Sequence, residues 1–351
     1  MNKKTKSALI TLGMVVVVYG ITELFMMLGL MSSLMKGVLV PICTYSLCAI
    51  GLNLCVGYLG ELSLGHAGFM CVGAFSGALV SKLLESSVPS KPVLFIISLF
   101  CGVVMAALFG FLIGIPVLRL NGDYLAIVTL AFGEIIKNII NNIYIAKDEV
   151  GFHLAFINPK NMEMSEDAVW IMNGPQGISK IPRMSTFTIG IILILIVLVI
   201  SFNLVNSRTG RAIMAIRDNR IAAESIGINV TKFKMLAFVI SAAIAGAGGV
   251  LYAHNLSTIT ATPTNFGYNM SIMILVFVVL GGMGSFRGSI LAAAILTLLP
   301  EMLRGLSDYR MLIYSIVLIA MMLFNWAPKS REFRDRMIEK IKGKTLNKEA
   351  Q

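Results

Sequence analysis

Charge is scarce in this sequence. Only 13% of its 351 residues are Asp, Glu, Lys or Arg, against about 25% in soluble domains. Apolar side chains make up 57%. A globular protein of this length cannot hide that much from water, so lipid must cover part of it. A soluble enzyme, a disordered chain and a fibre are thereby excluded, and the chain reads as an integral membrane protein. Metal-binding chemistry is equally thin. The three histidines, His66, His153 and His254, are far apart, and the cysteines at 43, 48, 55, 71 and 101 lie in or beside apolar runs without metal-ligand spacing. They read as small packing residues rather than as a zinc site or a disulfide framework. No nucleophile–base constellation stands out. Gly343-Lys344-Thr345 resembles the end of a phosphate-binding loop, but Ile338 occupies the position of its first glycine. The expectation is therefore a non-catalytic chain that needs no metal or cofactor and does not hydrolyse ATP itself.

Acid is scarcer than base, and the surplus is localised. The formal net charge is +11. Lys3, Lys4 and Lys6, the stretch 206–234 and the tail 329–351 together hold 17 basic and 6 acidic residues, which accounts for all of it. The remaining charges balance. Short basic segments flanking apolar runs follow the positive-inside rule, so all three are expected on the cytoplasmic face. The same placement argues against nucleic acid as a partner.

Apolar runs of spanning length fall at 8–30, 34–56, 62–83, 93–118, 124–144, 187–205, 235–253, 269–284, 287–303 and 311–327. About 20 residues cross the hydrocarbon core, so an all-α polytopic protein is expected, with about ten transmembrane helices and eight to eleven allowed by merging or splitting runs. No small-residue cleavage site follows the first run, which reads as a retained anchor. With residues 1–7 inside, ten crossings put loop 145–186 outside and return 206–229 and the basic tail 328–351 to the cytoplasm. The transmembrane domain then covers 8–327. Loop 145–186, with five acids against four bases and the turn-rich Asn173-Gly-Pro-Gln-Gly177, suits the outer face. Two halves with an odd number of spans each could be inverted repeats, although no internal sequence repeat is visible.

Four stretches carry more than hydropathy. Gly102, Ala106, Gly110 and Gly114 recur every four residues, a stripe that lets helices approach closely. Residues 57–73 contain five glycines together with Ser63 and His66, too many glycines for an ordinary helix. Either a broken element lines a cavity there, or the glycines serve close packing and His66 is a satisfied core residue. The run 124–144 holds Thr129, Glu134 and Lys137, with Asp123 placed to cap its start. Charge at that depth faces a bundle interior or path, unless Glu134 and Lys137 simply pair at i,i+3. Segment 206–229 is too polar to span. Ile213 and Ile216 share one helical face, Arg220 can pair with Glu224, and Gly227 suits a helix end. Such a helix lies on lipid or docks a partner.

These stretches resemble the permeases of ATP-binding-cassette importers for branched-chain amino acids, specifically the M-type (LivM-like) subunit. The resemblance rests on Gly60-Glu-Leu-Ser-Leu-Gly-His-Ala-Gly-Phe69, on Leu120-Asn-Gly-Asp-Tyr-Leu-Ala-Ile-Val-Thr-Leu130 through Glu134, and on Asn173-Gly-Pro-Gln-Gly-Ile178. It continues with Thr209-Gly-Arg-Ala-Ile-Met-Ala-Ile-Arg217 through Gly227 and with Leu280-Gly-Gly-Met-Gly-Ser285. These permeases carry a cytoplasmic Glu-Ala-Ala-x-x-x-Gly docking signature. Here Ile221, Ala222, Ala223 and Gly227 occupy that pattern, with Ile in place of Glu. The resemblance implies a bacterial plasma-membrane protein working by alternating access. Implied partners are a second related permease subunit, two ATP-binding subunits and an extracytoplasmic substrate-binding protein. It further implies ATPase docking through Arg211, Ala215, Arg217, Ala222, Ala223 and Gly227; with the glycine-rich element read as lining a cavity, a translocation path touching Ser63, Gly65, His66, Thr129 and Glu134 is expected. Urea, short amides or other amino acids stay open as substrates within that class. An ion-coupled secondary transporter built on Glu134 and Lys137 stays open outside it.

Overall fold

The computed structural model describes residues 3–85, 87–120, 122–148, 151–157, 169–303, 309, 312–313 and 315–319. The chain divides into two units, 1–297 and 298–351. Of the second, the described residues are the end of one helix and short pieces at 309–319. The first holds the candidate functional residues.

Its helices begin with α1 (Lys3–Met27) and α2 (Ser33–Asn53), which runs on as a π-helix over Leu54–Leu59. Next come α3 (His66–Leu84), α4 (Lys91–Val117), α5 (Asp123–Asn141) and α6 (Phe187–Asn206). Two short helices, α7 (Arg208–Asp218) and α8 (Arg220–Ser225), precede α9 (Val230–Ala253). The last three are α10 (Pro263–Phe266), α11 (Tyr268–Gly281) and α12 (Phe286–Met302).

Seven helical stretches among the described residues are long and apolar enough to cross a bilayer, against about ten expected. The shortfall has physical causes. Helix α5 matches the run 124–144 but carries Asp123, Glu134 and Lys137 within 19 residues. Helix α12 matches 287–303 but has 17 residues, at the short limit for a span. The tenth run, 311–327, falls largely outside the described residues, as do the basic tail and Gly343–Thr345.

The all-α expectation holds for the bundle, but the long loop folds into strands. Strands β1 (Ile143–Lys147), β2 (Phe152–Phe156) and β3 (Val169–Asn173) form an antiparallel sheet with β1 in the centre. Ile178–Ser179 (β4) pairs with Thr258–Ile259 (β5). Lys82, in the last turn of α3, pins this assembly to the bundle. Its Nζ donates to the carbonyls of Trp170 (2.9 Å), Ile171 (3.3 Å) and Ser179 (3.0 Å). Successive spans alternate in direction, so the sheets sit at the end of the bundle where α3 finishes. Helices α7 and α8 sit at the opposite end, where α2 finishes and α9 starts.

Helix α9 is the axis of the packing, flanked by α2, α3 and α4. Glycine permits the approach. A Cβ on Gly73 would lie 2.7 Å from the Gly246 carbonyl carbon, and one on Gly249 would lie 2.8 Å from Ala74 N. The stripe on α4 meets the same helix: a Cβ on Gly110 would stand 2.6 Å from that of Ala242, and one on Gly114 2.7 Å from Met235 Sδ. Helix α1 is peripheral. Val16, Val17, Ile21, Leu24 and Phe25 on it are all exposed, the apolar face that lipid must cover.

Because these approaches leave no room for a side chain, Gly246→Leu should destabilise the folded protein by about 3 kcal/mol, the cost of overpacking a close-packed interior. Gly13→Leu on α1, where nothing lies within 4 Å, should be neutral. A thiol-reactive dye during thermal unfolding in detergent reads this directly, since Cys48 and Cys71 are fully buried. Equal midpoints for the two variants would refute the role given to α9.

Candidate functional site

The glycine-rich stretch is a helix break. The π-helix ends at Gly60, whose backbone is left-handed (φ +82°), and residues 60–65 are non-helical until α3 begins at His66. The run 34–56 thus extends to Leu59, three residues past its expected end. Backbone groups freed by a break inside a membrane protein need new partners; two other helices supply them, and a third adds an ion pair. Leu64 N donates to Thr129 Oγ1 of α5 (3.0 Å), and Ala67 N donates to Ser271 Oγ of α11 (3.1 Å). Lys234 of α9 pairs with Glu61.

Gly65 and Thr129 are brought together: a Cβ on Gly65 would lie 3.0 Å from the Thr129 carbonyl carbon. Gly68 meets Gly133 at the same crossing, with 2.8 Å between the hypothetical Cβ and the Gly133 Cα. His66 turns elsewhere. Its Nε2 would stand 3.2 Å from a Cβ on Gly51, beside the Ser241 carbonyl, so it faces α2 and α9. Ser63 and His66 are each 1% exposed, and Ser63 Oγ and His66 Nε2 have no hydrogen-bond partner among the described residues.

Glu134 does not join this cluster. Its Oε2 pairs with Lys137, and its Oε1 accepts from Tyr268 N (2.8 Å) at the start of α11. A carboxylate there satisfies an orphan helix donor and complements the positive end of the helix dipole. A second interruption, α10 and Gly267, precedes this capped start.

Sequence reasoning missed Asn53, Glu61, Lys234 and Ser271. Asn53 is fully buried; its Nδ2 donates to Ser289 Oγ (2.7 Å) and its Oδ1 accepts from Gly284 N (2.8 Å). Gly282 (φ +95°) and Gly284 (φ +80°) shape the turn it grips. A lone amide inside an apolar run was the available signal, and its partners are more than 200 residues away.

The polar segment 206–229 is helical but not one helix. Asn219 is extended (φ −156°) and caps α8 through its side chain, so α7 and α8 meet at an elbow. Gly227 ends α8 in the left-handed region (φ +84°). Ile213 and Ile216 are buried, as their shared face implies. Ala223 packs with Ile216 and Val230 in a small core of the chain's own, while Ala215 is half-buried and Ala222 exposed. The elbow presents Ile221 and Ile226 at 79% and 74% exposure. Arg211 Nη1 donates to Asn206 O (3.2 Å), and Arg217 Nη1 donates to Gly57 O (2.9 Å).

Long apolar helices around a glycine-packed axis, two helix interruptions and a polar elbow at one end define a multi-pass transport permease. The chain belongs to the family of permease components of branched-chain amino acid transport systems, whose model matches residues 34–325. It is 33% identical over 319 residues to the high-affinity branched-chain amino acid permease protein LivM of Escherichia coli, covering 81% of this chain and 67% of the relative. BraD of Pseudomonas aeruginosa, a permease of the same description, is 25% identical over 72% of this chain and 80% of its own length. The fructose import permease protein FruG of Bifidobacterium longum is 25% identical over 69% and 66%. No solved structure matches.

Thr129→Val should strand the half-buried Leu64 N–H and cost about 1 kcal/mol, whereas Thr129→Ser keeps the oxygen and should lose little. Thermal unfolding in detergent tests this. Equal stability of the Val and Ser variants would remove Thr129 from the support of the break.

Proposed function

We propose that this chain is the membrane subunit of an ATP-driven importer for branched-chain amino acids, working by alternating access with a second permease, two ATP-binding subunits and an external binding protein. The observation that carries the reading is the elbow of α7 and α8. It is a polar excursion between two spans, at the end of the bundle opposite the sheets, with two isoleucines and Ala222 exposed at its tip. Apolar side chains held out on a folded elbow form a docking knob for a partner's cleft. Under this reading the elbow, Arg208 and Lys232 face the cytoplasm, the sheets face outside, and the break at 60–65 with Ser63, Gly65, His66 and Thr129 borders the path. Ala223 supports the knob from beneath. The family and the relatives named for branched-chain amino acids support the substrate class, while the fructose-named relative shows that such a scaffold is compatible with other solutes. Glu134, with both oxygens engaged by donors of this chain, gives the ion-coupled reading no support.

Ile221→Asp should reduce recovery of the ATP-binding subunits from a detergent extract by about tenfold, the effect of losing an interface anchor worth about 1.4 kcal/mol. Its surface position predicts normal insertion. Undiminished recovery would return the elbow to a lipid-surface role. Orientation is tested by single cysteines in a background lacking the native five: Lys180→Cys should label from outside intact cells and Ser225→Cys only after permeabilisation. Labelling of both from outside would overturn the topology.

A further inference from the structure

Arg217 sits on the elbow, where an exposed arginine would ordinarily be assigned to a partner. One arm of its guanidinium points inward. Nη1 donates to Gly57 O (2.9 Å), a carbonyl in the last turn of the π-helix, where helix carbonyls lack intrahelical partners. Nε and Nη2 both hold Asp218 Oδ1 (3.1 and 3.0 Å), which fixes the plane of the fork. The aliphatic stem crosses Gly60, where a Cβ would lie 2.6 Å from Arg217 Cγ. One side chain therefore both caps the π-helix and packs on the residue at which the chain leaves it.

What lies beyond that contact gives it consequence. The segment 60–65 and the first turn of α3 are gripped from α5, α9 and α11 by Thr129, Lys234 and Ser271, and Arg217 adds α7 from the elbow. One turn earlier, Asn53 ties α2 to the turn before α12. A π-turn differs from an α-turn by one residue in hydrogen-bond register (i→i+5 against i→i+4). The structure holds Leu54–Leu59 in the π register, and a one-residue shift to the α register is the discrete change through which such an element would couple distant sites.

We propose that Arg217 is a positioning residue that links displacement of the elbow to the helix break through the Gly57 carbonyl, and is not a contact to the ATP-binding subunits. This rests on the importer reading above.

The test uses the assembled transporter in proteoliposomes, with three readouts: recovery of the ATP-binding subunits, ATP hydrolysis and leucine uptake. Arg217→Ala should leave recovery as in the unmodified protein while raising ATP hydrolysed per leucine imported about tenfold, the scale of losing a charge-assisted hydrogen bond. Arg217→Lys, which can still reach a carbonyl, should restore part of the coupling. Asp218→Asn, exposed and outside the packed core, should give an intermediate ratio and keeps the test decisive if Arg217→Ala is not inserted. Lys232→Ala, another exposed charge at the same end, should leave the ratio unchanged. Loss of recovery in Arg217→Ala comparable to that in Ile221→Asp would make it a docking residue and overturn the proposal. An unchanged ratio in Arg217→Ala, or in Asp218→Asn where Arg217→Ala is not inserted, would overturn it too. Failure of the unmodified chain to retain any ATP-binding subunit is a separate result, which refutes the importer reading itself.

Discussion

A backbone amide or carbonyl released from a helix inside a bilayer has no water to turn to, and each unsatisfied group costs several kcal/mol. That constraint organises this molecule. The chain leaves helical geometry at 60–65 and again at Gly267, between α10 and α11, and each interruption draws polar side chains from elsewhere. Thr129 and Ser271 receive the amides of Leu64 and Ala67, Glu134 receives Tyr268 N, and Arg217 covers the Gly57 carbonyl. Polar residues that look misplaced in apolar helices are the partners of breaks in other helices.

Close packing makes those partnerships possible. A threonine hydroxyl reaches a neighbouring backbone only if two helices nearly touch, and the contacts of Gly65 with Thr129 and Gly68 with Gly133 bring α3 against α5. The Gly73–Gly246 contact does the same for α3 and α9. Without a hydrophobic driving force between helices in lipid, such interfaces depend on dispersion and shape.

The two ends of the bundle are built differently. Lys82 staples the strands to α3 by three hydrogen bonds to carbonyls. At the other end the elbow rests on a core of only a few residues around Ile216, Ala223 and Val230, with its tip exposed. That small core reaches α9 only through Val230 and Phe233 in its first turn, apart from the glycine contacts that α9 makes with α3 and α4.

Much of this was legible from residue order. Low charge, apolar runs and the confinement of the basic surplus to three segments identify a polytopic membrane protein, because hydropathy over about 20 residues reports directly on the bilayer. The glycine density at 57–73 marked the helix break, since glycine is costly in a helix interior, and Ile213 with Ile216 marked the buried face of the elbow. Other features were not legible. The sheet in the 145–186 region, the division at Asn219 and the ends of α5 and α12 depend on pairings that local pattern does not encode. That Glu134 receives Tyr268 N as well as Lys137 depended on where Tyr268 lies, 134 residues away. Residue types and their spacing determined which groups needed partners. Only the tertiary structure decided who those partners were, because a hydrogen bond between helices is set by their crossing point and not by distance along the chain.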